Sequence, residues 1–184
     1  MRTYICAVLL SFASVVTVAS EEQAPRPGTF CWPMHFAGVV AGISQDRHVV
    51  RLLGQGAHRP KEEEGVRYYV DARRSATLRV ATFTDRIVGE IALEAGINST
   101  LSKAEIRAAM SASLSPREGF GNWHALTLGV TKETVLKNMG EPARRASDDE
   151  WTYDALCTCE IPEYMTIHFN SNKVVRVVFS APPG

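Results

Sequence analysis

The residues best equipped for chemistry are cysteines. Cys31, Cys157 and Cys159 remain once the first twenty residues, which hold Cys6, are set aside. In an oxidising compartment such thiols pair. Cys157 and Cys159 point to one face if the chain between them is extended, and a direct bridge would need a tight turn. A bridge from Cys31 to either one ties the N-terminal lead to the C-terminal part and leaves one thiol over. We expect Cys31 to pair with Cys157 or Cys159, closing a loop of roughly a hundred residues or more, for which chain entropy alone gives about 4 to 5 kcal/mol. The alternative is a metal site in which the three thiolates join a histidine, although Cys-x-Cys by itself lacks the paired spacing of zinc motifs.

Other chemistry has less support. There is no Gly-x-Ser-x-Gly elbow, phosphate loop, dinucleotide fingerprint or His-Glu-x-x-His. His35, His48, His58, His124 and His168 are scattered without ligand spacing. Glu62, Glu63 and Glu64 follow Pro60 without the Asp/Asn/Gly spacing of a calcium loop, and read as a solvated connection. Asn98-Ser99-Thr100 matches a glycosylation acceptor but reads more simply as a turn. No cofactor and no catalytic residue is expected, so a noncatalytic role leads.

Composition bounds the possibilities. The 184 residues are 45% hydrophobic and 22% charged, as in a globular protein, and 20 Lys plus Arg balance 20 Asp plus Glu. No net field therefore draws the chain to nucleic acid. Arg2, an apolar run over residues 5–18 and the small residues Val18-Ala19-Ser20 before Glu21 read as a secretory signal over residues 1–20, with the mature chain beginning at or near Glu21. No later apolar run is long enough for a membrane span. Residues 21–29, with Pro25 and Pro27, read as a tether.

The elements that must position any site come in two similar stretches. Gly42, Ser44 and Gly54 answer Gly129, Thr131 and Gly140, each set spelling a glycine, a hydroxyl N-cap and a glycine stop around a short helix. Tyr68-Tyr69-Val70-Asp71-Ala72 answers Trp151-Thr152-Tyr153-Asp154-Ala155. Leu78, Val80 and Thr82 alternate toward a turn at Asp85-Arg86, as Met165, Ile167 and Phe169 do toward Asn172-Lys173. Between them, Ser102 and Glu105 form a capping box opening a helix with Ile106, Ala109, Met110 and Ser113 on one face, ending near Ser115-Pro116 and grouped with the second stretch. Trp151 and Tyr153 read as core aromatics.

Residues 128–179, with Gly129-Val130-Thr131, Val135, Gly140-Glu141-Pro142, Trp151-Thr152-Tyr153 and Phe169 before Lys173-Val174, resemble the SmpA/OmlA (BamE-type) outer-membrane assembly lipoproteins. Two such stretches in one exported chain also resemble the paired units of beta-lactamase inhibitory protein. The resemblance implies an α+β fold of two tandem units, each a helix plus a three-stranded antiparallel sheet, over residues 30–97 and 98–184. It also implies a role in binding other proteins. No cysteine stands directly after the apolar run, so the lipid anchor of the outer-membrane family is not expected.

The expected function is a secreted or periplasmic, noncatalytic interaction module that binds an envelope or extracellular protein through helix-free sheet faces. Parity places Tyr69, Arg79, Tyr164 and His168 on those faces, with helices on the other face only. The alternative is an envelope metal-binding protein or enzyme using Cys157, Cys159 and Cys31.

Overall fold

The computed structural model describes residues 29–30, 35–36, 38–58, 64–83, 85–110, 128–155 and 164–181. In chain order the elements are β1 (Thr29–Phe30), β2 (His35–Phe36), β3 (Val39–Val40), α1 (Asp46–Leu53), β4 (Ala57–His58), β5 (Val66–Asp71), β6 (Ala76–Thr82) and β7 (Val88–Ala95). Then follow α2 (Lys103–Ala109), α3 (Lys132–Met139), β8 (Arg144–Ser147), β9 (Glu150–Ala155), β10 (Tyr164–Asn170) and β11 (Lys173–Ser180). Cys31, Cys157 and Cys159 lie outside the described residues, and nothing supports the expected disulfide.

Local signals act where the residues can satisfy orphan backbone groups. Ser102 accepts from Glu105 N while the Glu105 carboxylate accepts from Ser102 N, closing the capping box of α2. Thr131 Oγ1 accepts from Thr134 N at the start of α3, and Gly54 and Gly140 end α1 and α3 at φ 84° and 76°. The expected cap at Ser44 is corrected: α1 begins one residue later, and its N-cap, Gln45, makes no side-chain cap. Ser44 is buried instead, and its hydroxyl accepts from Val40 N at 2.9 Å.

The fold class expected from sequence is also corrected. Among the described residues, nine strands form one sheet in the order β1-β9-β10-β11-β7-β6-β5-β4, with β8 beside β9; β2 and β3 form a separate pair. Every neighbouring pair in the large sheet is antiparallel except β1 with β9. The molecule is mostly sheet with short helices, not two helix-plus-three-strand units. The joint is β7 with β11, in register from Glu94↔Arg176 to Glu90↔Ser180. Its cause is apolar continuity: Ile91 and Leu93 of β7 and Val177 and Phe179 of β11 lie on one face and are all buried. Pairing the two strands satisfies both edges and merges two apolar surfaces into one.

That surface is the main core. Leu78, Val80, Ile91, Trp151, Tyr153, Met165, Ile167, Phe169 and Phe179 are buried there, covered by Val49 and Leu53 of α1 and Val135 of α3. Leu136 and Met139 of α3 pack at its margin. The Trp151 and Phe169 rings meet at 4.6 Å, tilted by 60°, and Lys132 lies 5.4 Å from the Phe169 ring.

Helices do not occupy one face only, as parity had suggested. A second cluster on the opposite face joins Val66, Tyr68 and Val70 of β5 to Leu101, Ile106 and Ala109, so α2 covers β4 and β5. The Ile106 and Ala109 stripe finds its apolar partner there, and not among the C-terminal strands with which it was grouped. Tyr68, Tyr69 and Val70 are consequently all buried.

Candidate interaction surface

The four contact residues expected from sequence separate in the structure. Tyr69 leaves the set. It lies opposite Leu78 in the β5–β6 hairpin and shares the main core, with no exposed surface. Its hydroxyl donates to the Gly54 carbonyl at 3.0 Å, and burial pushes its pKa up to about 12. It secures the end of α1 and is not available to a partner.

Arg79, Tyr164 and His168 do share a face. Register carries that face across five strands. Glu150 of β9, His168 of β10, Arg176 of β11 and Glu94 of β7 are successive cross-strand neighbours, followed by Thr77 of β6. The next row is Thr152, Thr166, Val178, Ala92 and Arg79, and the third is Asp154, Tyr164, Ser180, Glu90 and Ala81. These side chains point away from α1 and α3, because they alternate with the core residues along each strand.

The face is ordered by charge. Arg79 Nη1 donates to Glu90 Oε1 at 2.6 Å, a diagonal pair between β6 and β7. Arg176 Nε stands 3.0 Å from Glu94 Oε1 as an ion pair outside hydrogen-bond alignment. His168 Nδ1 lies 3.6 Å from Glu150 Oε2. Burial holds the His168 imidazole below its usual pKa, and the Arg176 charge adds to this, while Glu150 and Glu94 oppose it. At neutral pH the ring is therefore uncharged, and its proximity to Glu150 is not a salt bridge until acid protonates it.

Between the charged rows lie small or uncharged side chains. Thr152, Ala92 and Val178 are buried, and the Thr152 and Thr166 hydroxyls are 3.4 Å apart. Tyr164, at 40% exposure, is the large aromatic that stands out of the face. Sequence reasoning found Arg79, Tyr164 and His168 from alternation. It missed Glu90, Glu94, Glu150 and Arg176, because their pairing depends on strand register, which no local motif encodes.

The arrangement sets paired charges and one exposed large aromatic on a broad sheet. Among the described residues no group of three or more His, Cys, Asp or Glu side chains is placed to hold a metal ion. No described helix is long and apolar enough to cross a membrane.

No protein-family model matches the chain, and no curated protein matches it. Among solved structures it is similar to a DUF4309 family protein (YjgB) from Bacillus subtilis subsp. subtilis str. 168, at 16% identity, over 82% of this chain and 88% of that one, with a TM-score of 0.48. The expected kinship with the SmpA/OmlA (BamE-type) family, and with the paired units of beta-lactamase inhibitory protein, is corrected: no family model matches the chain, and its strands form one large sheet and not two units. The short motifs that carried it are helix caps, glycine stops and strand alternation, which unrelated sheets share.

Proposed function

We propose that the chain is a noncatalytic secreted or periplasmic interaction module that binds an envelope or extracellular protein through the face of β9, β10, β11, β7 and β6. The register-aligned row Glu150, His168, Arg176 and Glu94, extended by Arg79 with Glu90, carries this reading. Side chains already held in ion pairs lose little freedom on binding, and a fixed charge pattern selects a complementary surface. Tyr164 supplies the amphipathic anchor that such surfaces favour. The apolar secretory leader in the sequence supports export. Cys157, Cys159 and Cys31, on which the alternative of a metal-binding protein or enzyme rests, lie outside the described residues.

The test is site-directed photo-crosslinking in cells that export the full chain. A crosslinking residue at Tyr164 should capture a discrete protein, and one at Lys137 on α3 should not. Combining the Tyr164 crosslinker with Arg79→Ala should weaken capture by more than about 2 kcal/mol, the scale of an interface hot spot. Equal capture from both positions, or capture indifferent to Arg79, would remove the sheet face from consideration.

A further inference from the structure

The arginines divide into two kinds. Arg67, Arg74, Arg79, Arg145 and Arg176 each meet a carboxylate. Among the described residues Arg47, Arg51, Arg73, Arg86, Arg107 and Arg144 form no such ion pair, and three of these, Arg47, Arg51 and Arg86, line one stretch of surface on the far side of the sheet from the face described above. Two concavities lie side by side there, sharing lining residues. One of about 520 Å3 is bounded by Ile43, Arg47, His48 and Arg51, and one of about 430 Å3 by Asp46, Arg47, Asp85 and Arg86, with Gln45 on both.

The trough has a net positive lining. Asp46 is already neutralised, since both its oxygens accept from Arg67, at 2.6 and 2.8 Å, and that hydrogen bonding holds its pKa below the usual carboxylate value. Asp85 Oδ1 accepts from Ile87 N at 2.9 Å. Three unpaired guanidinium groups thus face one carboxylate that has no cationic partner. Beside them Ile43 is 60% exposed, a large apolar side chain with nothing over it among the described residues. Arg86 is held at φ 66°, a left-handed conformation that disfavours a long side chain, while the β10–β11 turn places an asparagine, Asn172, at φ 65°.

We propose that this trough binds an extended acidic peptide segment of a partner protein, with its carboxylates on Arg47, Arg51 and Arg86 and an apolar side chain over Ile43. Guanidinium forks match carboxylates in geometry as well as charge, and the exposed isoleucine distinguishes a peptide from a simple inorganic anion. The site is separate from the sheet face and stands or falls without it.

A fluorescein-labelled hexapeptide alternating glutamate and leucine, titrated into the full chain and read by anisotropy, tests the assignment. Binding should saturate and weaken as salt rises to about 0.3 M. The double variant Arg47→Ala/Arg86→Ala should bind about tenfold more weakly, as expected for two exposed ion pairs lost, with an unchanged circular dichroism melt. Arg144→Ala, an exposed arginine on β8, should bind as the parent does. If the double variant fails to fold, Arg51→Glu on the exposed side of α1 should show the loss. Absence of saturable binding, equal weakening by Arg144→Ala, or full retention in Arg51→Glu overturns the proposal. Displacement by inorganic phosphate as effective as by the parent peptide overturns the peptide assignment in favour of a bare anion site, and displacement by an all-glutamate peptide as effective as by the parent overturns the apolar contact over Ile43.

Discussion

Two corners of the molecule close in nearly the same way, where α1 meets the β6–β7 turn and where α3 meets the β10–β11 turn. Gly42 N donates to Val88 O and Gly129 N to Val174 O, at 2.7 and 2.8 Å. The first helical N–H of each, Asp46 or Lys132, reaches the carbonyl of the left-handed turn residue, Arg86 or Asn172. Each helix stops at a glycine whose carbonyl accepts from a buried tyrosine hydroxyl at 3.0 Å. The difference lies at the helix starts. Val88 N returns to Ser44 O but Val174 N returns to Val130 O, so the first corner holds one more residue before its helix. That residue displaces the hydroxyl from the cap position. At α3 the end is closed by Thr131, and Glu133 accepts from Asn172 Nδ2 at 3.2 Å. At α1 no side chain closes it, and three unpaired arginines stand around. One inserted residue separates a sealed corner from an open one.

The comparison holds only if both corners sit on one sheet, and the largest effect tests that. Ile91→Ala, beside Phe179 at the β7–β11 joint, should cost about 2 to 5 kcal/mol and leave a single cooperative denaturant transition. Two separated transitions would mean that the corners fold independently. Next come the two tyrosines. Tyr69→Phe and Tyr153→Phe should each lose about 1 kcal/mol by chemical denaturation, because each removes one hydrogen bond to a helix-ending carbonyl. A large inequality would show that the closures are alike in geometry but not in strength. The helix starts should differ by a similar or smaller amount. Thr131→Ala should cost about 1 kcal/mol, whereas Gln45→Ala should change the melting temperature little, and Gln45→Ser should stabilise by a few tenths of a kcal/mol. An equal cost at both positions would contradict the open corner.

The smallest effect concerns the opposite face. Since His168 has its pKa lowered on folding, the unfolded chain takes up its proton first as pH falls. Stability from this group is fully present above its ordinary value near 6.5 and is lost as pH drops through that value toward the lower folded one. Parent and His168→Gln should therefore diverge in stability below about pH 6.5 and run parallel above it. An imidazole titration observed by NMR above the ordinary histidine value would reverse the sign and make the Glu150 pairing dominant.

Sequence reached the caps and turns because those signals act within a few residues. Ser102 with Glu105, Thr131, Gly54, Gly140 and the turns at Asp85 and Asn172 each satisfy backbone groups close to themselves. The alternation of Met165, Ile167 and Phe169 was legible for the same reason, one face being apolar and the other polar. Tyr69 was not, because β5 is covered on both sides and Tyr68, Tyr69 and Val70 carry no alternation to read. The extra residue before Gln45 hid the true cap behind a better-looking serine. The row from Glu150 to Glu94 needed the β7–β11 register, which is set by apolar surfaces far apart in the chain. Arg79, Tyr164 and His168 were thus visible as residues and invisible as neighbours.

The β7–β11 joint also orders events in time. Glu94 and Arg176 lie about 80 positions apart, so the strand at the centre of the finished sheet is an unsatisfied edge until β11, the last described strand, has been made and delivered. Closing so long a loop costs entropy before any contact returns it, which places the slow step of folding at this seam. A chain with β4 to β7 already formed presents, for that interval, a bare apolar strand edge to whatever else is present.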